Sequence, residues 1–388
     1  MKYNFDKVID RSGTSAEKVE GLKHIWGRTD LIPLWVADMD FATAPFVTDA
    51  IRKRCENEVL GYTGKPDSYY NAIINWVKQR YDLIVTKEVI NFVPGIVPGI
   101  GMAMNCFTQK GDKVMIQPPV YHPFAWVTTR NERTLVINPL RWENGMYRMD
   151  LDAFREQIKG CKLFILCNPH NPGGVVWTEA ELRAIADICY DEKVLVFSDE
   201  IHADLTLPPH THRPFATVSE KARMNSVTFM SPSKAFNMPG LSASHALIFN
   251  EDLRKRFRIY MDAGELDMGH VFAFLSVEAA YSHGTEWLDQ CLAYIQGNID
   301  FVDEFLKKHA PKIKAIRPEA SYLVWLDCRE LELSQKDLNE FFVDKAHLAL
   351  NDGEMFGKEG IGFMRLNVAS PRCIIEKAMK QLADAYQL

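Results

Sequence analysis

A lysine stands among small hydroxyl residues at the end of an apolar run. Ser226–Met230 leads into Ser231-Pro232-Ser233-Lys234-Ala235-Phe236-Asn237-Met238-Pro239-Gly240. An ammonium at the mouth of a buried strand is costly unless it is paired or neutralised. One way to neutralise it is to join the amine to a carbonyl as an imine, and as a free amine it is a base for a carbon-bound proton. A pyridine-aldehyde cofactor with a phosphate tail asks four things of a protein: an imine-forming lysine, an acid at the ring nitrogen, a phosphate cradle and a partner for the ring hydroxyl. Lys234 is the candidate for the first and Asp199, in Asp199-Glu200-Ile201-His202, for the second. Gly95-Ile96-Val97 opens a helical run, where free N–H groups and the helix dipole suit a phosphate, and Ser231 and Ser233 can add hydroxyls. Asn171 and His202 are candidates for the ring oxygen, and Tyr121 for stacking on the ring face. Arg365, inside the apolar run Phe363–Asn367, needs a bidentate anion, and the α-carboxylate of an amino acid is one.

Each residue also has a plainer reading. Ser15-Ala16-Glu17-Lys18 matches S-x-x-K as well as the Lys234 stretch does. Asp199 also reads as a helix cap, Gly95–Val97 as a turn, Asn171-Pro172-Gly173-Gly174 as turn chemistry and Arg365 as half of an internal salt bridge. His202 with Glu200, or His210 with His212, suggests metal ligands, but no third set with ligand spacing joins them.

What unites the candidates is where they fall. Short apolar runs alternate with helical stretches at Val89–Val93, Lys113–Ile116, Thr134–Ile137, Leu163–Cys167, Val194–Phe197, Val227–Met230 and Ala246–Phe249. Continuous apolar runs suit strands covered on both faces, which predicts an α/β fold with a mostly parallel sheet. Thr178-Glu179-Ala180-Glu181 predicts a capping box ahead of a helix with Leu182, Ile185, Ala186 and Cys189 on one face. Gly95, Tyr121, Asn171, Asp199 and Lys234 all follow the C-terminal ends of such runs, the edge where open α/β sheets bind ligands. Upstream, Leu34-Trp35-Val36-Ala37-Asp38-Met39-Asp40-Phe41 reads as a strand-like run or an extended arm whose acids are solvated, and Gly61-Tyr62-Thr63-Gly64 as a turn between helices. Past Asn250 the pattern becomes helical, then α+β, with a helix expected over Gln335–Ala346 and a strand at Phe363–Asn367. The division expected is a large ligand-binding domain over residues 48–287, and a smaller α+β domain from residues 1–47 with 288–388.

The 388 residues are 47% hydrophobic, ample for such a core, and the net charge of −6 provides no general basic field for nucleic acid. Met1–Gly13 lacks the apolar core of a signal peptide, and the longest apolar stretch, Phe92–Phe107, is interrupted by prolines and glycines. Eight cysteines without a C-x-x-C pair read as reduced core thiols in a cytoplasmic protein.

Trp35–Phe41, Asn168-Pro169-His170-Asn171-Pro172-Gly173-Gly174, Asp199-Glu200-Ile201-His202-Ala203-Asp204 and Ser231–Gly240 together resemble the MalY/PatB group of cystathionine β-lyases (C–S lyases), fold-type I enzymes that use pyridoxal 5′-phosphate. The resemblance runs nearly end to end. It implies that Lys234 holds the cofactor, Asp199 pairs its ring nitrogen, Asn171 and His202 meet its ring oxygen, and Arg365, with Ala37 and Asn171 alongside, receives the substrate. It further implies that Tyr62 reaches the cofactor phosphate of a partner subunit, hence a homodimer with shared sites. Aminotransferases of this fold usually carry an arginine eight residues after the lysine, where this chain has Ser242, and often tyrosine in place of His202 and glycine in place of Ala37. The implied activity is β-elimination from cystathionine or related cysteine S-conjugates. An aminotransferase is the alternative, followed by a cofactor-bearing regulatory protein. A serine acyl-transfer enzyme built on Ser231 and Lys234 would need S-D-N and K-T-G partners that the chain lacks.

Overall fold

The computed structural model describes residues 3–387. Its centre is a seven-stranded sheet of β1 (Ile90–Val93), β2 (Lys113–Ile116), β3 (Thr134–Ile137), β4 (Cys161–Cys167), β5 (Leu195–Asp199), β6 (Ser226–Met230) and β7 (Ser244–Leu247), in the order β1-β7-β6-β5-β4-β2-β3. Only β7 runs antiparallel to its neighbours. The fold is therefore α/β with a mostly parallel mixed sheet. Both faces are covered: Phe197, Phe229 and Val227 pack with Ile100 and Met104, while Val196 and Phe164 pack with Leu182, Ile185 and Cys189. Double coverage is why these strands are continuous apolar runs. The Thr178 box forms, with Glu181 N–H donating to Thr178 Oγ1 at 3.2 Å and Thr178 N–H to Glu181 Oε2 at 2.8 Å.

A second sheet is antiparallel and four-stranded: β8 (Lys314–Ile316), β9 (Leu323–Asp327), β10 (Asn351–Asp352) and β11 (Phe363–Asn367), ordered β8-β9-β11-β10. Arg365 sits on β11, flanked by Trp325 on β9 and Asn351 on β10.

Several local expectations need correction. Residues 34–41 are not a strand: only Ile32–Pro33 pairs, with Leu348–Ala349, and the rest is an irregular strap. Its apolar side chains Leu34, Met39 and Phe41 are buried, which explains the strand-like composition without a ladder. Its acids are not solvated as in a free arm, because Asp38 and Asp40 are ion-paired. The strand placed at 246–249 begins two residues earlier, and the helix expected over 335–346 is regular only for Gln335–Glu340 before widening to π-type turns over Phe341–Lys345. A short hairpin, Arg141–Glu143 with Met146–Arg148, was not foreseen. All eight cysteines are free, and among the described residues no helix is long and apolar enough to cross a membrane.

Candidate active site

Parallel pairing in register brings the ends of three central strands level: Cys167 pairs with Asp199, and Asp199 with Phe229, one residue before the end of β6. The loops leaving these strands, with those after β1 and β2, enclose a cavity of about 210 Å³. Gly95, Ile96, Val97, Tyr121, Asn171, Asp199, His202, Ser233 and Lys234 line it, and Ala37 of the strap closes it from the second sheet's side. Arg365 stands just outside the lining and donates from Nη1 to Asn171 Oδ1 at 3.1 Å. Ser231 lies one layer behind, its hydroxyl donating to Ala243 O at 2.7 Å and accepting from Ser233 N–H at 3.1 Å. Tyr62 does not line the cavity of its own chain; it is 99% exposed, on a segment without regular secondary structure, with exposed Val59 and Leu60.

The phosphate-cradle candidate is built by backbone. Gly95 adopts φ +144°, a region that disfavours side chains, and it precedes helix α1 (Ile96–Phe107). Pro98 has no N–H, so the first-turn amides left for a ligand are those of Ile96 and Val97. Ser242, lining the same cavity, is held at φ +47° and adds no charge where an arginine would add one.

Burial governs the electrostatics. Asp199 accepts one hydrogen bond, from Ile201 N–H at 3.1 Å, and desolvation pushes its carboxyl up to about 7. Across the cavity, desolvation pulls the Lys234 amine down to about 8, and its Nζ donates to Ala37 O. His202 is pushed down to about 3, first by burial and then by Lys234 and Arg365, so its ring is neutral. Two buried atoms at this place, His202 Nδ1 and Arg365 Nε, have no hydrogen-bond partner among the described residues. Buried polar atoms are seldom left so, and a ligand carrying oxygen functions would satisfy them. The cavity thus offers an amine, an acid poised to pair with a cationic ring, neutral donors and backbone amides. That set fits pyridoxal phosphate.

Glu200 turns away from this cavity. It is buried against His212 (2.7 Å), Ser198 Oγ and Phe215 N–H, so the metal-like pattern Asp199-Glu200-Ile201-His202 is split between two locations. His210 faces Glu319 instead. Three neighbours of the site escaped sequence reasoning. Tyr322 Oη donates to Ala37 O at 2.9 Å, Asn351 Oδ1 accepts from Arg365 Nη2, and Asn367 Nδ2 donates to both Val36 O and Asp38 O at 2.7 Å. The one signal for them was an asparagine at the end of an apolar strand run, two residues from Arg365.

The raised Asp199 carboxyl has a measurable consequence. The folded state holds its proton more tightly than the unfolded chain between pH 4 and 7, so its contribution to stability is present at low pH and lost as pH rises through that window. In ligand-free protein, Asp199→Asn should therefore gain on wild type by up to about 1.4 kcal/mol per pH unit across the window, and level off above it. Urea unfolding at a series of pH values measures this. A stability difference that does not change with pH would contradict the assignment.

Residues 29–382 match the family model described as aminotransferase class I and II. Cystathionine β-lyase PatB of Bacillus subtilis (strain 168) is 38% identical over 384 residues, covering 98% of this chain and 99% of that protein. A pyridoxal-phosphate-bound protein from Clostridium difficile 630, provisionally described as an aminotransferase, superposes with a TM-score of 0.97 at 40% identity, covering 99% of this chain and 100% of the other. The pyridoxal-phosphate-bound C–S lyase of Staphylococcus hominis superposes with a TM-score of 0.91 at 35% identity, covering 99% and 98%.

Proposed function

The chain belongs to the class I and II aminotransferase family, and from that premise we propose that it is a pyridoxal-phosphate-dependent carbon–sulfur β-lyase, acting on L-cystathionine or related cysteine S-conjugates. The observation that carries the reading is Lys234 facing Asp199 across a 210 Å³ cavity, with Arg365 hydrogen-bonded to the cavity wall at Asn171. Kinship along the whole chain to proteins called cystathionine β-lyase and C–S lyase supports elimination over amino-group exchange, as does Ser242 in place of an arginine.

The amides of Ile96 and Val97 with Ser233 would hold the cofactor phosphate, with Ser231 bracing Ser233 from behind. Asp199 would hold the ring nitrogen, Asn171 and His202 the ring oxygen, Tyr121 the ring face, and Lys234 the aldehyde carbon. Pyridoxal phosphate, when bound, supplies a sink for the electron pair released at the substrate's Cα. Arg365 orients the substrate by its α-carboxylate, its planar fork matching the two oxygens. Asn351 and the Trp35 carbonyl fix that fork from behind. Lys234, with a proton affinity near the working pH, removes the Cα proton. The Cβ–S bond then breaks, its electron pair leaves on sulfur, and the thiolate takes up a proton. Water converts the three-carbon remainder to pyruvate and ammonia, so one conjugate and one water give one thiol, one pyruvate and one ammonium.

Purified protein with cofactor should release homocysteine, pyruvate and ammonia in equal amounts from L-cystathionine, with no keto acid added. The second reading, an aminotransferase, is favoured by the description given to the Clostridium difficile relative. A strict requirement for an added 2-oxo acid, with no thiol released from any cysteine conjugate, would establish it instead.

The active form in this reading is a homodimer. A tyrosine 99% exposed beside Val59 and Leu60 is unusual for a surface meant for water alone, and it suits completion of a second copy's site. Mixing an inactive Tyr62→Phe chain with an inactive Lys234→Ala chain should restore activity, since one site of each heterodimer keeps both residues. Heterodimers proven by mass that stay inactive would refute the sharing.

A further inference from the structure

The strap over the cavity is held by its carbonyls. Trp35 O accepts from Arg365 Nη2 at 3.2 Å, Val36 O and Asp38 O from Asn367, and Ala37 O from Tyr322 and Lys234. Met39 O and Phe41 O accept from Asn237 Nδ2, three residues past the lysine. Below this runs a second layer built around four charges. Lys18, whose side chain is fully buried, reaches Asp40 at 2.8 Å and Asp38 at 3.6 Å. Arg11 grips Asp38 through both terminal nitrogens, at 2.6 and 3.1 Å to the two oxygens, and touches Asp40 at 3.0 Å. Ser370 adds its hydroxyl to Asp40. A lysine so buried is retained only with compensating anions, and here the four charges sum to zero one residue away from the carbonyl that meets Lys234.

We propose that Arg11 and Lys18, through Asp38 and Asp40, are positioning residues for Lys234: they fix the Ala37 carbonyl against its amine and cancel the acid charge of the strap, so that the lysine keeps the proton affinity its role requires. This rests on the reading of Lys234 as the cofactor-bearing base. The groups facing that amine are Asp38 from the strap, Asp199 from β5, His202 from the loop after it, Tyr322 ahead of β9 and Arg365 from β11. Asp38 raises the affinity of the amine for a proton, Arg365 lowers it and Asp199 raises it. Of these three, only Asp38 is ion-paired among the described residues, to Arg11 and Lys18.

The sign of the effect tests the idea. Removing one strap cation, in Lys18→Met or Arg11→Gln, leaves a net negative strap and should move the Lys234 titration upward. Removing the anion, in Asp38→Asn, leaves a net positive strap and should move it downward. The expected displacements are roughly one pH unit each. Two readouts report them: the pH titration of visible absorbance in the cofactor-loaded enzyme, and the pH dependence of Lys234 labelling by an amine reagent in cofactor-free protein, read by peptide mass spectrometry. Melting curves show which variants fold, and should Lys18→Met not fold, Arg11→Gln against Asp38→Asn decides. Opposite displacements support the proposal. Displacements of the same sign, or none, overturn it, because a strap that merely held the fold together would treat either loss alike. If the cofactor in wild type is attached elsewhere than Lys234, the reading of the site fails, and that outcome is distinct from an unmoved titration at Lys234.

Discussion

Lys234→Ala is expected to remove nearly all turnover while leaving the fold in place. Two losses combine. The covalent hold on the cofactor goes, and so does the base that takes the Cα proton, which alone is worth roughly a hundred- to ten-thousand-fold in rate. The fold should survive because the side chain contributes one hydrogen bond, to Ala37 O, and its amine is a desolvated group whose loss relieves a cost. Tyr322 continues to hold Ala37 O. Borohydride reduction of the loaded wild type, digestion and mass spectrometry should find the pyridoxyl label on the peptide holding Lys234. Label on another lysine, or substantial turnover by the variant, would sink the assignment.

Arg365→Ala should cost about 1.5–3 kcal/mol of transition-state binding, the typical worth of hydrogen bonds to a charged group. That corresponds to a fall in kcat/KM of roughly ten- to a hundred-fold. Arg365 is 3% exposed, with amide and carbonyl partners on the protein side and one nitrogen without any among the described residues. Carboxylates are the natural complement of such a group, and none stands among its hydrogen-bond partners in the described residues. Arg365→Lys keeps the charge without the fork, and should recover only part of the loss. Because Asn351 and Asn171 lose a partner in the alanine variant, its melting temperature must be compared with that of the lysine variant. A kcat/KM unchanged in Arg365→Ala would mean that the carboxylate is held elsewhere.

The strand edge was readable from the sequence for a physical reason. Strands covered on both faces are apolar without alternation, so each one ends visibly where prolines, glycines and polar residues begin. Cys167 giving way to Asn168-Pro169 and Met230 giving way to Ser231-Pro232 are such endings, and in both cases the loop that follows lines the cavity. Segments whose partners lie far off in the chain were unreadable. Residues 34–41 have the composition of a strand, yet side chains more than 190 positions away satisfy their backbone. Nothing in Ser15-Ala16-Glu17-Lys18 distinguishes a buried lysine from a solvated one, because the deciding acids, Asp38 and Asp40, come 20 and 22 residues later on a segment with no regular structure. The hairpin at 141–148 was missed because its strands are only three residues long, the first exposed at both ends and the second burying a single side chain, Tyr147, too short to show an apolar run.

The strap also has a place in time. Its partners Asn367, Ala369 and Ser370 leave a ribosome more than 320 positions after the strap itself. At roughly 5–20 residues per second, the N-terminal segment waits for about 15–70 s before its anchors exist. Over that interval Lys18 is a hydrated cation, and the central sheet, with Asp199 and Lys234 already on it, has no roof. The strap can lock only once residues 367–370 exist, so the cavity gains its roof after the sheet that forms its floor.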